Sequence, residues 1–249
     1  MSAQPGNEGQ LGLLDTVAPP DYAWRVRASE RARRLAVRVL PGGLVEIVVP
    51  RGTRPRTIEQ FVSRHRRWIE RALDLYRPAG TAASDTLPEQ IDFPAIGRSY
   101  AVSYLESAGP PRLTSEGGTM RVAGPLDRPV LLRHALQRFT MKEAHTTLGP
   151  WLWQLSAATG LRFERFQIRR QRTRWGSCSR TGTISLNACL LFQPPSVAGY
   201  LLIHELAHTR QLNHSRRFWR IVERHEPRWR VLDAALTRGW REVPAWALG

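Results

Sequence analysis

Residues 196–215 read SVAGYLLIHELAHTRQLNHS, and the organisation of the chain follows from this stretch. From Val197 to about Leu212 there is no proline and only Gly199 to weaken a helix, while Pro194-Pro195-Ser196 punctuates the chain and supplies an N-cap. Leu201, Leu202, Ile203, Leu206 and Ala207 make that helix apolar, so it belongs in a core. Against this background stand His204, Glu205 and His208. Two imidazoles and a carboxylate in such surroundings are costly unless they are satisfied. His204 and His208, four residues apart, project from one helix face about one turn apart.

That spacing lets both imidazoles reach one tetrahedral ion at roughly 2.0–2.1 Å, which predicts a Zn2+ site. Glu205 lies about 100° round the helix from His204. From there it addresses a water beside the ion without being a ligand, as a general base must. A catalytic zinc takes three protein ligands and keeps one open position. His214, six residues past His208, is the expected third, brought back by a turn at Gln211 to Asn213, with Ser215 placed to cap the next helix. Its rivals are Glu223 and Glu226 on that next helix. His65, His134, His145 and His225 stand alone on helix faces and read as structural or exposed. The reaction class is hydrolysis: the ion lowers the pKa of water to about 7, and Glu205 takes the proton and returns it to the leaving group. In peptidases of this design the substrate backbone pairs with an edge strand beside the zinc helix, and Thr183 to Leu191, β-branched and alternating, is the expected strand.

Outward from the helix, Leu131 to Thr159 has helical spacing, with Pro150 either kinking it or opening a second helix, and Gly160 closes it. Phe163, Phe166 and Ile168 lead into an arginine-dense turn, Arg169 to Arg174, and then Trp175-Gly176-Ser177-Cys178. In the first half, Leu35, Val37 and Val39 alternate before Pro41-Gly42-Gly43, and Leu44, Val45, Ile47 and Val49 follow, predicting a hairpin or small meander. Thr57 and Gln60 read as a capping box for an amphipathic helix carrying Ile58, Phe61, Val62, Trp68, Ile69, Leu73 and Tyr76. Residues 79–90 read as a linker. Tyr100, Val102 and Tyr104, then Met120 and Val122 after Gly117-Gly118, predict two or three short strands. The expected division is a flexible tail over 1–20, a β-rich region with one helix over 21–125, and an α+β hydrolase domain over 126–249.

With 249 residues and 42% hydrophobic content the chain is long enough for a large core. Its 37 basic residues, all arginine but Lys142, exceed 21 acidic ones and leave a net charge of +16. Such a charge suits acidic or phosphate-bearing partners, so contact with nucleic acid or a nucleotide is an expectation. The arginines are scattered through every segment, however, as on a plain solvated surface. Cys178 and Cys189 are too few for a disulfide framework, no apolar run approaches the roughly 18 residues of a membrane span, and no signal-peptide pattern opens the chain. A cytoplasmic protein with no membrane contact is expected.

The run Arg172-Thr173-Arg174-Trp175-Gly176-Ser177-Cys178-Ser179, then Ile184-Ser185-Leu186-Asn187, the histidine helix, Asn213-His214-Ser215 and Phe218-Trp219, resembles the YgjP-like metal-dependent hydrolases, relatives of the SprT zincins. Arg33-Arg34, Pro50-Arg51-Gly52 and Trp68-Ile69 resemble the N-terminal half of that family. The resemblance implies a zincin-like metallopeptidase fold, with His204, His208 and His214 as ligands and Glu205 as base. It also implies Arg174, Trp175, Gly176, Ser177 and Asn187 as substrate-wall residues. The histidine spacing matches the metzincins too, but Gln211 stands where they have glycine and no methionine follows the site. Three functions compete on these grounds: a metallopeptidase acting on peptide or protein, possessing in its SprT kin a taste for proteins attached to DNA; a nucleoside triphosphate pyrophosphatase, with Arg169, Arg170, Arg172 and Arg174 as a phosphate clamp; and a binding module with structural zinc.

Overall fold

Residues 22, 24–40, 43–76 and 86–248 are described in a computed structural model of the chain. The tail expected over 1–20, the Pro41-Gly42 part of the first turn and residues 79–85 of the expected linker lie outside the described residues.

Strands β1 (Trp24–Ser29), β2 (Ala36–Leu40) and β3 (Leu44–Pro50) form a sheet in the order β1-β3-β2. β2 and β3 are the expected hairpin, closing at Leu40↔Leu44 with Gly43 at φ 78°. β3 is central, with β1 parallel on its other edge. Helix α1 (Pro55–Tyr76) covers this sheet, packing Ile58, Ile69 and Leu73 on Val39, Val45, Ile47 and Val49. It opens at Pro55, whose fixed φ suits a first helical position, so Thr57 sits inside the first turn and not at a cap. Trp68, expected on the buried stripe, is exposed.

The next sheet has four strands where two or three were expected: β4 (Gln90–Phe93), β5 (Arg98–Glu106), β6 (Arg112–Glu116) and β7 (Thr119–Gly124), in the order β4-β5-β7-β6. Gly117 and Gly118, at φ 54° and 79°, close the β6–β7 hairpin as a two-residue turn that demands positive φ at both positions. One face of this sheet, including Ile91, Phe93, Tyr100, Val102, Met120 and Val122, is buried in the same core as Leu132, Leu136 and Phe139 of α2 (Pro129–Thr159). Helix α2 runs through Pro150 as one element and stops at Gly160, whose φ of 70° lets its N–H reach the Ser156 carbonyl at 3.0 Å.

The third sheet corrects the expected edge. β8 (Arg165–Arg169), β9 (Gly176–Cys178) and β10 (Thr183–Asn187) are ordered β8-β10-β9. Thr183 to Asn187 is therefore the central strand, parallel to β8 and antiparallel to β9, and β9 is the edge strand packed beside the histidine helix. The chain leaves the sheet at Asn187 and turns through a short 3-10 helix, Ala188–Phe192, so the strand does not reach Leu191. Helix α3 (Pro195–His208) follows, with Pro195 as its first residue and no side-chain cap, and it ends at His208, short of the expected Leu212. It is buried on nearly every side, as an all-round apolar helix must be. α4 (Arg216–His225) and α5 (Trp229–Arg238) close over it.

These elements make an α+β fold with two buried clusters. The smaller lies between the first sheet and α1, and the larger runs from Ile91 to Ala247. Packing thus groups the second sheet with the C-terminal elements.

Candidate metal centre

Helix α3 delivers His204, Glu205 and His208 at its C-terminal end, and the turn beyond it folds His214 back over them. The nitrogens of the three imidazoles lie within 4.8 Å of one another, and Nε2 of His204 and Nε2 of His214 are 3.1 Å apart. Ligand atoms on a tetrahedral zinc about 2.0–2.1 Å away lie about 3.3 Å from one another. The His204–His214 pair already has that spacing, and wider separations in the trio close by side-chain rotation onto one ion. Phe218, buried at the start of α4, forms a common floor, with ring centroids 4.9, 4.4 and 4.8 Å from those of His204, His208 and His214. The bend after His208 needs no glycine: Thr209 N–H donates to the Leu206 carbonyl, and the N–H groups of Arg210 and Gln211 both donate to Ala207.

What lies behind the rings fixes which nitrogen faces the cluster. Nδ1 of His208 meets the Gln211 carbonyl at 3.0 Å, and a carbonyl only accepts, so Nδ1 carries the hydrogen. The Tyr200 hydroxyl donates to Oδ1 of Asp233 at 2.7 Å and so accepts from Nδ1 of His204 at 3.2 Å. Both helix imidazoles consequently present Nε2 lone pairs to the cluster, the arrangement in which outer partners tune metal-binding histidines. Burial first, then the neighbouring imidazoles His208 and His214, pushes His204 down to about 3, keeping it in the neutral form a ligand needs. His208 is lowered as well, mainly by burial. Glu223 and Glu226, the rivals for third ligand, pair instead with Arg230 at 3.2 Å and Arg228 at 3.3 Å and stand outside the cluster.

Glu205 is 3% exposed, and its Oε2 is buried with no hydrogen-bond partner among the described residues. Burial pushes its carboxyl up to about 8, while the charge of Arg174 works in the opposite direction. The edge strand passes directly against it. A Cβ on Gly176 would stand 2.6 Å from Oε1 of Glu205, so glycine there makes room for the carboxylate. Cys178 is half-buried, and burial together with the charge of Glu205 pushes its thiol up to about 11, which leaves it unreactive.

The five residues expected to wall the substrate separate into two groups. Arg174, Gly176 and Ser177 lie on or beside the edge strand near Glu205. Trp175 and Asn187 are both buried. Trp175 is 7% exposed and stacks on Trp240 with centroids 4.0 Å apart. Asn187 is 0% exposed, its Nδ2 donating to the carbonyls of Gln171 at 2.6 Å and Arg174 at 2.8 Å, and its Oδ1 accepting from Cys189 N–H at 3.0 Å. These two hold the 171–176 turn from behind. Tyr200 and Asp233 escaped the sequence reading. Tyr200 is one helical turn before His204, a signal that was present, whereas Asp233 arrives from α5, 33 residues away from Tyr200, and had none.

A buried helix presenting two imidazoles and a carboxylate, with a third imidazole folded back to it, has the donor set and tautomers of a metallohydrolase centre. A family model described as the YgjP-like metallopeptidase domain matches residues 33–239, and the chain belongs to that family. It is thereby a metal-dependent peptidase in kind. No curated protein matches. Among solved structures, the metallopeptidase zymogen of Pyrococcus abyssi abylysin is similar at 30% identity, over 33% of this chain and 85% of that one, with a TM-score of 0.31.

Proposed function

We propose that the chain is a zinc-dependent metallopeptidase in which His204, His208 and His214 hold the ion and Glu205 is the general base for peptide-bond hydrolysis. The observation that carries this reading is the convergence of three imidazoles whose two helix members are locked, by Tyr200 and by the Gln211 carbonyl, with Nε2 facing inward. When bound, zinc supplies Lewis-acid activation of water and of the scissile carbonyl. Oε2 of Glu205, free of other partners, is the atom placed to accept a proton and to deliver it to the departing amine. Burial raises the proton affinity of that carboxylate and so strengthens it as a base, and Arg174 favours the ionised form from which it acts. The substrate backbone pairs with the outer edge of β9, which places the scissile bond over Glu205.

No observation favours a triphosphate clamp at the arginine-dense turn. Arg169 is bonded to Gln167 at 3.0 Å, the charge of Arg174 acts on Glu205, and Arg170 and Arg172 lie close enough to repel each other, an arrangement in which nothing marks a triphosphate position. Action on DNA-bound protein rests on the resemblance to SprT kin and on the +16 charge. Among the described residues no helix is long and apolar enough to cross a membrane, and both cysteines are free, which suits the reducing cytoplasm we propose for the protein.

The test is Glu205→Gln. It should keep zinc and lose peptide hydrolysis by about 10²–10⁴-fold, the range for a lost general base. Undiminished turnover would remove Glu205 from the mechanism.

A further inference from the structure

Beside the metal centre, on the side formed by α4 and α5, lies a pocket of about 480 Å³ lined by Arg216, Trp219, Arg220, Glu223, Trp229 and Arg230. The volume is within the roughly 300–1,000 Å³ of small-ligand sites. It is joined to the metal centre by a single side chain: the Trp219 ring lines the pocket and also packs on His214 and His204, with centroids 5.6 and 5.9 Å apart. A group seated in the pocket is therefore one indole away from the reacting bond.

Two features define what fits. The first is charge: three guanidiniums face one carboxylate, so the pocket carries a surplus of positive charge that Glu223 only partly offsets. Glu223 itself shows the preferred guest, because its carboxylate pairs with Arg230 at 3.2 Å. Both partners are about half exposed or more, so this pair is weak and readily exchanged for another carboxylate. The second is the state of the rings. Trp219 and Trp229 stack on each other at 4.0 Å, and the Arg230 guanidinium covers the Trp229 ring at 4.5 Å. No gap is left between the indoles for a nucleobase, while the arginine heads remain available to a carboxylate, which guanidinium groups bind in bidentate geometry.

We infer that this pocket is a subsite for an acidic side chain, Asp or Glu, of the peptide substrate. The inference rests on the peptidase reading above and adds to it a substrate class: peptides and proteins with a carboxylate near the cleaved bond. In the bound state the carboxylate takes the place of Glu223 on Arg230 and is shared with Arg220 and Arg216, while its methylenes lie along Trp219.

The experiment is calorimetric titration of zinc-loaded Glu205→Gln protein with peptides that differ only by Glu, Gln or Lys at one position, moved stepwise along the sequence. At one position the acidic peptide should bind about tenfold tighter or more. That preference should vanish in Arg220→Ala and Arg230→Ala, turn toward Lys in the double substitution R220E/R230E, and persist in R112Q/R121Q, which removes two charges from the second sheet. Equal binding of the Glu and Gln peptides would overturn the subsite, as would a preference surviving Arg220→Ala and Arg230→Ala. Equal loss in R112Q/R121Q would reassign it to diffuse charge. Nucleoside triphosphate binding that is lost in the pocket variants while the peptides show no preference would assign the pocket to nucleotides. Zinc-loaded protein that binds no peptide at all would bring down the peptidase reading, a different result from peptides bound without preference.

Discussion

Gly176 and Glu205 share one space. The α-carbon of Gly176 lies so close to the carboxylate that an added Cβ would meet Oε1, Cγ and Cδ of Glu205 at 2.6, 2.8 and 2.9 Å. Gly176→Ala must displace either the edge strand or the base, and a misplacement of about 1 Å at a reacting group costs on the order of a hundredfold in rate. The expected outcome is a kcat about a hundredfold lower with zinc content unchanged; wild-type kcat in the alanine variant would show that the carboxylate has room to move. At this scale the sequence was informative where spacing alone decides, as for His204, Glu205 and His208. It was silent where a residue's work depends on a partner far along the chain. Asn187 has the polar side chain of a substrate contact, yet its carbonyl partners Gln171 and Arg174 make it a brace. Tyr200 gains its meaning only when Asp233 arrives from α5.

Elements with their own periodicity were legible: α3 from its unbroken apolar run, α1 and α2 from their stripes, and the β2–β3 and β6–β7 hairpins from their glycine turns. Order within a sheet was not, because pairing is set by contacts between distant segments. Thr183 to Asn187 has the composition of a good strand, which identifies a strand and not its neighbours. The actual edge, Gly176–Cys178, is three residues long and too short to show alternation. The first sheet offers a test at this scale. Glu46 lies buried in the central strand β3, with Arg25 at 2.8 Å and Arg27 at 3.3 Å. Burial tends to raise its carboxyl, but hydrogen bonds and charge from the two arginines outweigh burial and hold it below the usual range. The unfolded chain thus takes up this proton at higher pH than the folded one, so the carboxylate stabilises the fold above about pH 4.5, the ordinary value, and that contribution is lost as pH falls. The arginines are half exposed, and solvent screening limits the effect to about 1 kcal/mol. Glu46→Gln should lower the thermal midpoint at pH 7, with the gap to wild type closing below the carboxylate range. A gap independent of pH would contradict the assignment.

Over the whole molecule, the large core exists to hold α3. Strand β9, α2, α4 and α5 pack around that helix, and its buried polar groups, His204 aside, are the Tyr200 hydroxyl, Glu205 and His208. Burying such a set is unfavourable in isolation, and the cation proposed to be shared by the imidazoles beside the Glu205 carboxylate would offset that cost. The charge of +16, by contrast, is spread along the chain and says little by itself; beside Trp219, where Arg216, Arg220 and Arg230 line one pocket, it acquires a location. The central claim is that His204, His208 and His214 form one zinc site, and elemental analysis of purified protein tests it most directly. Wild-type protein should carry one zinc per chain and His204→Ala should lose it, whereas wild-type protein without zinc, or His204→Ala holding a full equivalent, would contradict the account.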